Sequence, residues 1–270
     1  MLFTILAGKG AEPFLEKTLH RFLDAGADCL VVQYDDSELP IPKGAEVRRD
    51  SGQKWQLARR HLTPEKVADY DYVFIWDDDI DLLEFDPRLF VEIMAACNLD
   101  CAQPAIVSEH GIMHEITKAQ ALHPSSGSHL SVGRLTNFVE IMVPVYSRQA
   151  WLDFWPYLTD ESASGHGYDY FPFNRRGIVD LMPVHHTRAC QSHAPGPNDL
   201  INFTVHNGVY SHEKANMGLL LVDAVPDGAG GGAFRGRRAG RSAQSHRRYL
   251  SSEPSSERGN GGWGTECSRL

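Results

Sequence analysis

The 270-residue sequence has no long apolar run. Its longest early stretch, Leu2 to Ala7, falls far short of the ~20 apolar residues that a spanning helix needs, and no signal-peptide pattern surrounds it. Those absences predict a soluble chain with no membrane span, cytoplasmic as written. Cysteine is scarce: Cys29, Cys97, Cys101, Cys190 and Cys267 are an odd, scattered set whose closest pair is Cys-x3-Cys, unlike the Cys-x2-Cys of zinc knuckles. Reduced, buried thiols are the expectation. The nucleotide and hydrolase signatures are missing as well. No Walker loop, no G-x-G-x-x-G and no G-x-S-x-G is present, and Gly8-Lys9-Gly10 is too short to substitute for the first, so P-loop and dinucleotide chemistry are demoted.

What is present is globular in bulk, with 42% hydrophobic, 10% aromatic and 23% charged residues. Charge is unevenly placed. Residues 226–270 hold eight Arg, no Lys and four acids, a net of +4, which leaves −13 of the chain's −9 on residues 1–225. An acidic body is a poor partner for nucleic acid, which needs clustered cations to displace counterions, and a better one for divalent metal. The tail also carries ten Gly and seven Ser in 45 residues, too little apolar surface to offset chain entropy, so disorder is expected there.

Along the body, Leu2-Phe3-Thr4-Ile5-Leu6-Ala7, Cys29 to Tyr34 and Tyr72-Val73-Phe74-Ile75-Trp76 are short continuous apolar runs that suit strands buried on both faces. Between them, residues 12–25 and Lys54 to Leu62 carry helical periodicity. This βαβ rhythm predicts a mostly parallel sheet in a three-layer α/β/α domain over 1–200, with ligands at the carboxyl ends of the strands. Further on, Pro87 to Ala96 reads as helix, Cys101 to Val107 as strand, 108–135 as a long loop and Phe138 to Tyr146 as strand. Arg148 to Tyr157 reads as an aromatic-rich helix, Tyr168 to Asn174 as a short helix, and Ile178 to Asp180 and Val184 to His186 as two short strands. An extension over 201–225, helical around Met217 to Val222, and the 226–270 tail complete the expected organisation.

The sharpest chemical signal is Asp77-Asp78-Asp79 at the end of the YVFIW strand. Alternation points Asp77 and Asp79 the same way, where like charges repel unless a cation intervenes. Mg2+ or Mn2+ takes such oxygens and bridges to a diphosphate; a solvated acidic turn is the plainer alternative. Asp35 and Asp36 fall on the same expected edge, as acceptors for a nucleoside or as an ordinary Asx turn. Lys54, opening a helix, is a phosphate candidate or a surface lysine. Gly165-His166-Gly167-Tyr168-Asp169 delivers an acid beside an aromatic ring, either as a general base or as a helix cap. His185-His186-Thr187-Arg188, with Cys190 and His193, matches no zinc spacing. One imidazole completing the cation site, with Arg188 facing phosphate, is the preferred reading. His114, in HGIMHE, is a site candidate outside any protease motif.

These residues resemble a known family. KWQLARRHLTPEKVADYDYVFIWDDDI (54–80), CAQPAIV (101–107), NFVEIMVPVYSRQAW (137–151), SGHGYDY (164–170), RGIVDLMPVHHTR (176–188) and QYDD (33–36) are similar, in order, to the plant and algal domain of unknown function 707, itself similar to GT-A-fold glycosyltransferases. The resemblance implies a nucleotide-diphospho-sugar transferase-like fold. It further implies an Asp-x-Asp metal site of Asp77 and Asp79 with His186 as third ligand, Mn2+ or Mg2+ as cofactor, and Asp169 as catalytic base. Asp35, Lys54, Asp78 and Arg188 fall to the UDP- or GDP-sugar donor, and His114, Glu140, His166 and Tyr168 to the hydroxyl acceptor side or its support. His166 stands where the family has Trp. Many relatives resemble anchored Golgi proteins, so a Golgi lumen location follows if the sequence lacks its natural start. A metal-dependent glycosyltransferase is the leading expectation. A glycan-binding or scaffold protein on a degenerate GT-A fold and a metal-dependent phosphohydrolase are the rivals.

Overall fold

The structure, a computed structural model, describes residues 1–110, 114–124, 129–160, 165, 167–189 and 218–223. The expected disorder of 226–270, the site candidate His166, and Cys190, His193 and Cys267 lie outside them.

A single sheet organises the described residues. Its strands are β1 (Leu2–Ala7), β2 (Asp28–Gln33), β3 (Glu46–Arg49), β4 (Tyr72–Trp76), β5 (Ile80–Asp81), β6 (Cys101–Val107), β7 (His129–Thr136), β8 (Val145–Ser147), β9 (Arg176–His186) and β10 (Leu219–Asp223). They run in the order β10-β7-β9-β6-β8-β4-β1-β2-β3, and β5 pairs with β9.

The apolar runs behave as period-two arithmetic requires. Phe3, Ile5, Cys29, Val31, Phe74 and Trp76 point to one face, where α1 (Glu12–Asp24) supplies Leu15, Leu19 and Phe22, and α4 (Pro87–Ala96) supplies Phe90, Ile93 and Met94. Leu2, Leu6, Leu30, Val32, Val73 and Ile75 point to the other. They meet Trp55, Leu57 and Ala58 of α2 (Lys54–His61), Val67 of α3 (Pro64–Val67), and Trp151 and Phe154 of α5 (Arg148–Phe154). Three layers, α/β/α, are therefore present as expected. Asp86 caps α4 by accepting from the Arg88 and Leu89 N–H groups, and Ser147 caps α5 through Ala150.

The sheet is mixed where a mostly parallel one was expected. β3, β2, β1 and β4 are parallel neighbours, as are β6 and β9. β8 pairs antiparallel with both β4 and β6, and β7, β10 and β5 add further antiparallel pairs. The cause is the short return strand β8, which enters the sheet between two parallel groups. Other boundaries shift too. His129–Thr136, read as loop because of its Ser, Thr and Gly content, is strand β7; Gly133 there lets β7 and β9 approach so closely that a Cβ would lie 2.1 Å from the Ile178 carbonyl oxygen. The strand expected from Phe138 to Tyr146 shrinks to β8, and the two short strands expected near its end are one, β9. Tyr168–Tyr170 is a single 3-10 turn. Leu219–Asp223 is strand β10 and not the helix expected around Met217 to Val222, because its alternate Leu220 and Val222 bury against the core while Leu219 and Leu221 face out. Cys29, Cys97 and Cys101 are free and buried, and burial pushes the first two thiols up to about 12 and about 11.

Candidate functional site

Because β1, β2 and β4 are parallel, Gly8, Tyr34 and Asp77 leave their strands on one edge. β9 runs parallel to β6, which is antiparallel to β8 as β4 is, so His186 at the end of β9 reaches that same edge. The pairing of Ile80 with His186 then sets the imidazole beside the acidic triplet.

The three aspartates have three different environments. Asp78 turns toward β1 and β2: its Oδ2 accepts from the Gly8 N–H at 2.9 Å and from the Tyr34 hydroxyl at 3.0 Å. Arg188 lies 3.5 Å from its Oδ1 and donates to the Gly10 carbonyl at 2.6 Å. Gly8 is needed at this junction, since a Cβ would fall 2.2 Å from the Tyr34 ring. Asp79 faces β9. Its Oδ2 lies 3.1 Å from His186 Nε2, and its carbonyl accepts from the Thr187 N–H and hydroxyl at 3.0 and 2.8 Å. Asp79 Oδ1 is buried with no hydrogen-bond partner. Burial pushes the Asp79 carboxyl up, but the His186 bond and the charges of His186 and Arg188 outweigh it and hold the group below the usual carboxylate range.

Asp77 is held by Lys54, whose ammonium donates to Asp77 Oδ1 at 2.7 Å, to the Ile141 carbonyl at 2.6 Å and to the Met142 carbonyl at 2.8 Å. Burial pushes the Asp77 carboxyl up against the pull of Lys54. Burial outweighs that pull in the net upward direction, although 40% of the Asp77 side chain is open to solvent, which screens the burial cost. An ammonium has three protons, and all three are spent on protein acceptors. Lys54 therefore straps the end of β4 to the 141–142 turn from the helix start where a phosphate role was expected. Asp35 is similarly committed. Its Oδ2 accepts from the Lys9 N–H at 2.7 Å and its Oδ1 from the Ser37 N–H and hydroxyl, the Asx-turn alternative.

Across the strap lies the second acidic group. Asp169, in the Tyr168–Tyr170 turn, accepts from the Ile141 N–H at Oδ1 (2.8 Å), and its carbonyl accepts from the Val139 N–H (3.1 Å). Glu140, between those two residues, is 7% exposed; its N–H bonds Gln103 Oε1 at 2.6 Å. Burial and the nearby Asp169 charge push its carboxyl up to about 8. Tyr168 is buried against Trp55 and Phe154, so it supports the turn from below. His114 lies on the Phe138 ring at 4.6 Å, and its carbonyl receives Thr117.

Among the described residues, no three His, Cys, Asp or Glu side chains form a group able to hold a metal ion by themselves. Of the expected set of Asp77, Asp79 and His186, Asp79 and His186 meet at 3.1 Å, while Asp77 is paired with Lys54. The donor set still fits a hard cation, given the buried, partnerless Oδ1 of Asp79. Sequence reasoning missed Tyr34, Thr117, Gln103, Thr187 and the Ile141 and Met142 carbonyls. Their roles depend on backbone approach between segments distant in sequence, which no local pattern signals.

A family model described as "Protein of unknown function (DUF707)" matches residues 1–177, and the chain belongs to this family. No curated protein matches the sequence. Among solved structures, the chain is similar to GalNAc-T7 with UDP, GalNAc and Mn2+, at 10% identity and a TM-score of 0.49, over 77% of this chain and 47% of that one. It is also similar to S. aureus TarS 1-349 in complex with UDP, at 11% identity and a TM-score of 0.44, over 76% and 63% of the two chains. The TarS complex with UDP-GlcNAc gives 11% identity and a TM-score of 0.42 over 72% and 60%. The chain spans less than two thirds of the length of each. No helix among the described residues is long and apolar enough to cross a membrane.

Proposed function

We propose that this DUF707 member is a metal-dependent glycosyltransferase that moves a sugar from a nucleoside-diphosphate donor, UDP- or GDP-linked, to an acceptor hydroxyl. The observation that carries the reading is the buried, partnerless Oδ1 of Asp79 beside His186, on the edge where β1, β2, β4 and β9 all end. A buried carboxylate oxygen without a partner is costly, and a ligand that supplies positive charge removes that cost. Asp79 and His186 would hold Mn2+ or Mg2+, which supplies neutralisation of the charge on a departing diphosphate. Arg188 and the Tyr34–Asp78 pair stand on the donor side of that edge.

On the acceptor side, Asp169 takes the proton of the attacking hydroxyl. The acceptor oxygen bonds to the anomeric carbon, the bond from that carbon to the diphosphate oxygen breaks with its electron pair, and the proton ends on Asp169. The Lys54 strap fixes the distance between the two sides, because it ties Asp77 to the residues whose backbone orients Asp169.

Calorimetry of UDP and GDP binding with and without Mn2+ tests this reading on wild type and Asp79→Ala. Mn2+-dependent binding that weakens by at least about tenfold in the variant, worth about 1.4 kcal/mol, is expected. Absence of Mn2+-dependent nucleotide binding by the wild type would sink it. Release of phosphate from simple esters without sugar transfer would point to a phosphohydrolase.

A further inference from the structure

Glu140 carries a chemical problem that its neighbours do not solve by ion pairing. It is 7% exposed, its Oε2 is buried with no hydrogen-bond partner, and among the described residues no cation forms a salt bridge with it. The cation that faces it among the described residues, Lys54, has all three protons committed to Asp77, Ile141 and Met142. The other charged groups facing it are Asp169, from the Tyr168–Tyr170 turn, and Asp77, from the end of β4, both negative. Gln103 of β6 engages only its backbone. An ionised carboxylate buried in this company would be several kcal/mol too costly.

Thr117 shows where a proton goes. Its side chain meets Glu140, a contact that holds the Glu140 carboxyl down where Thr117 is the donor. Its hydroxyl also lies 2.8 Å from the His114 carbonyl, which can only accept. A threonine hydroxyl has one proton, so with that proton on His114 it can only accept from Glu140. We propose that Glu140 is a positioning residue kept as a neutral acid, donating its proton to Thr117 Oγ1 and leaving Asp169 as the ionised carboxyl of the acceptor side. The bond ties the Phe138–Ile141 segment, whose backbone holds Asp169 on both sides of Glu140, to the Glu115–Thr117 turn. The location of the proton is a property of the protein alone; only the consequence for turnover rests on the glycosyltransferase reading.

The test is a carboxyl 13C NMR titration of the full chain labelled at glutamate, from about pH 4 to about pH 9.5. One resonance with a midpoint near about 8, absent from Glu140→Gln, is expected. If every glutamate completes its titration below about pH 6, the proposal is overturned. Thr117→Val supplies the sign. Loss of an acceptor from the neutral acid lowers the Glu140 midpoint, whereas loss of a donor to a carboxylate would raise it, so a rise also overturns the proposal. In sugar transfer, Glu140→Gln should keep kcat within about threefold while losing the activity decline above about pH 8, and Glu140→Ala should lose about tenfold in kcat. A glutamine variant as slow as the alanine one counts against it. If the wild type transfers no sugar, the NMR midpoints still decide the proton's place, and the failure belongs to the catalytic reading.

Discussion

Two ion pairs join loops to the sheet, and they are built to opposite ends. In the first, Arg134 of β7 meets Asp180 of β9, with both side chains almost fully buried. The same guanidinium donates to the Ile116 and Lys118 carbonyls at 2.6 and 2.9 Å, and Asp180 also accepts from the Gln120 N–H at 2.9 Å. This pair is closed: both side chains are buried and together they pin the 116–120 segment. In the second, Lys54 meets Asp77 with 40% of the aspartate side chain still exposed, and Asp79 Oδ1 and Glu140 Oε2 nearby have no partners. The closed pair is not fully satisfied, since the buried Arg134 Nε also lacks a partner, but both of its charges are buried and matched to each other. At the sheet edge the partnerless atoms are carboxylate oxygens beside a half-exposed Asp77, acceptors that a bound donor or cation would satisfy.

The contrast predicts the largest effect at the closed pair. Arg134→Ala leaves Asp180 charged and buried without its partner and should cost about 3–5 kcal/mol of unfolding free energy by urea denaturation. The double replacement Arg134→Met with Asp180→Leu should recover most of that. If the double variant is as unstable as the single one, the pair is needed for the 116–120 segment itself and not for charge balance.

At the open pair, Lys54→Met should cost less, about 1–3 kcal/mol, because Asp77 can turn to water. The same change frees the 141–142 turn and should weaken Mn2+-dependent nucleotide binding less than Asp79→Ala does. Equal stability losses for Lys54→Met and Arg134→Ala would erase the distinction between closed and open regions.

Glu140 gives the third break point, through pH. Its native carboxyl holds a proton up to about pH 8, against an ordinary glutamate value of 4.5. Between those values the native state binds more protons than the unfolded chain. This group therefore contributes stability that is fully present below the lower value and is lost as pH rises toward 8, with a slope of at most about 1.4 kcal/mol per unit. Thermal unfolding of Glu140→Gln across this window should show that slope removed and a higher Tm than wild type at about pH 8.

Much of the parallel half was legible from sequence because its strands are buried on both faces and read as unbroken apolar runs, each ending in the residue that reaches the edge: Ala7 before Gly8, Trp76 before Asp77. The mixed half was not. β7 contains Ser131, Gly133 and Arg134, which look like loop, yet Gly133 permits close strand approach and Arg134 is drawn inward by Asp180, 46 residues away. β10 has only five residues, and Leu-Leu-Leu-Val fits helix as well as strand until β7 is there to pair with it. In the site, the Asp triplet was visible by type and spacing. The division of its labour was not, because Asp77, Asp78 and Asp79 are told apart only by Lys54, Tyr34 and His186, which arrive from three other elements.

Tyr34 offers the smallest and finest test of that division. The residue is 39% exposed and its hydroxyl gives Asp78 one of two bonds to Oδ2, the other coming from the Gly8 N–H. Tyr34→Phe removes a single hydrogen bond to a carboxylate that keeps its backbone donor, so stability should fall by no more than about 1 kcal/mol in urea denaturation. Nucleotide binding should respond differently from the Asp79 variant. If Asp78 serves to close the β1, β2 and β4 ends upon one another, Tyr34→Phe weakens UDP or GDP binding equally with and without Mn2+. If the loss occurs only in the presence of Mn2+, Asp78 belongs with Asp79 and His186, and the three aspartates act as one site.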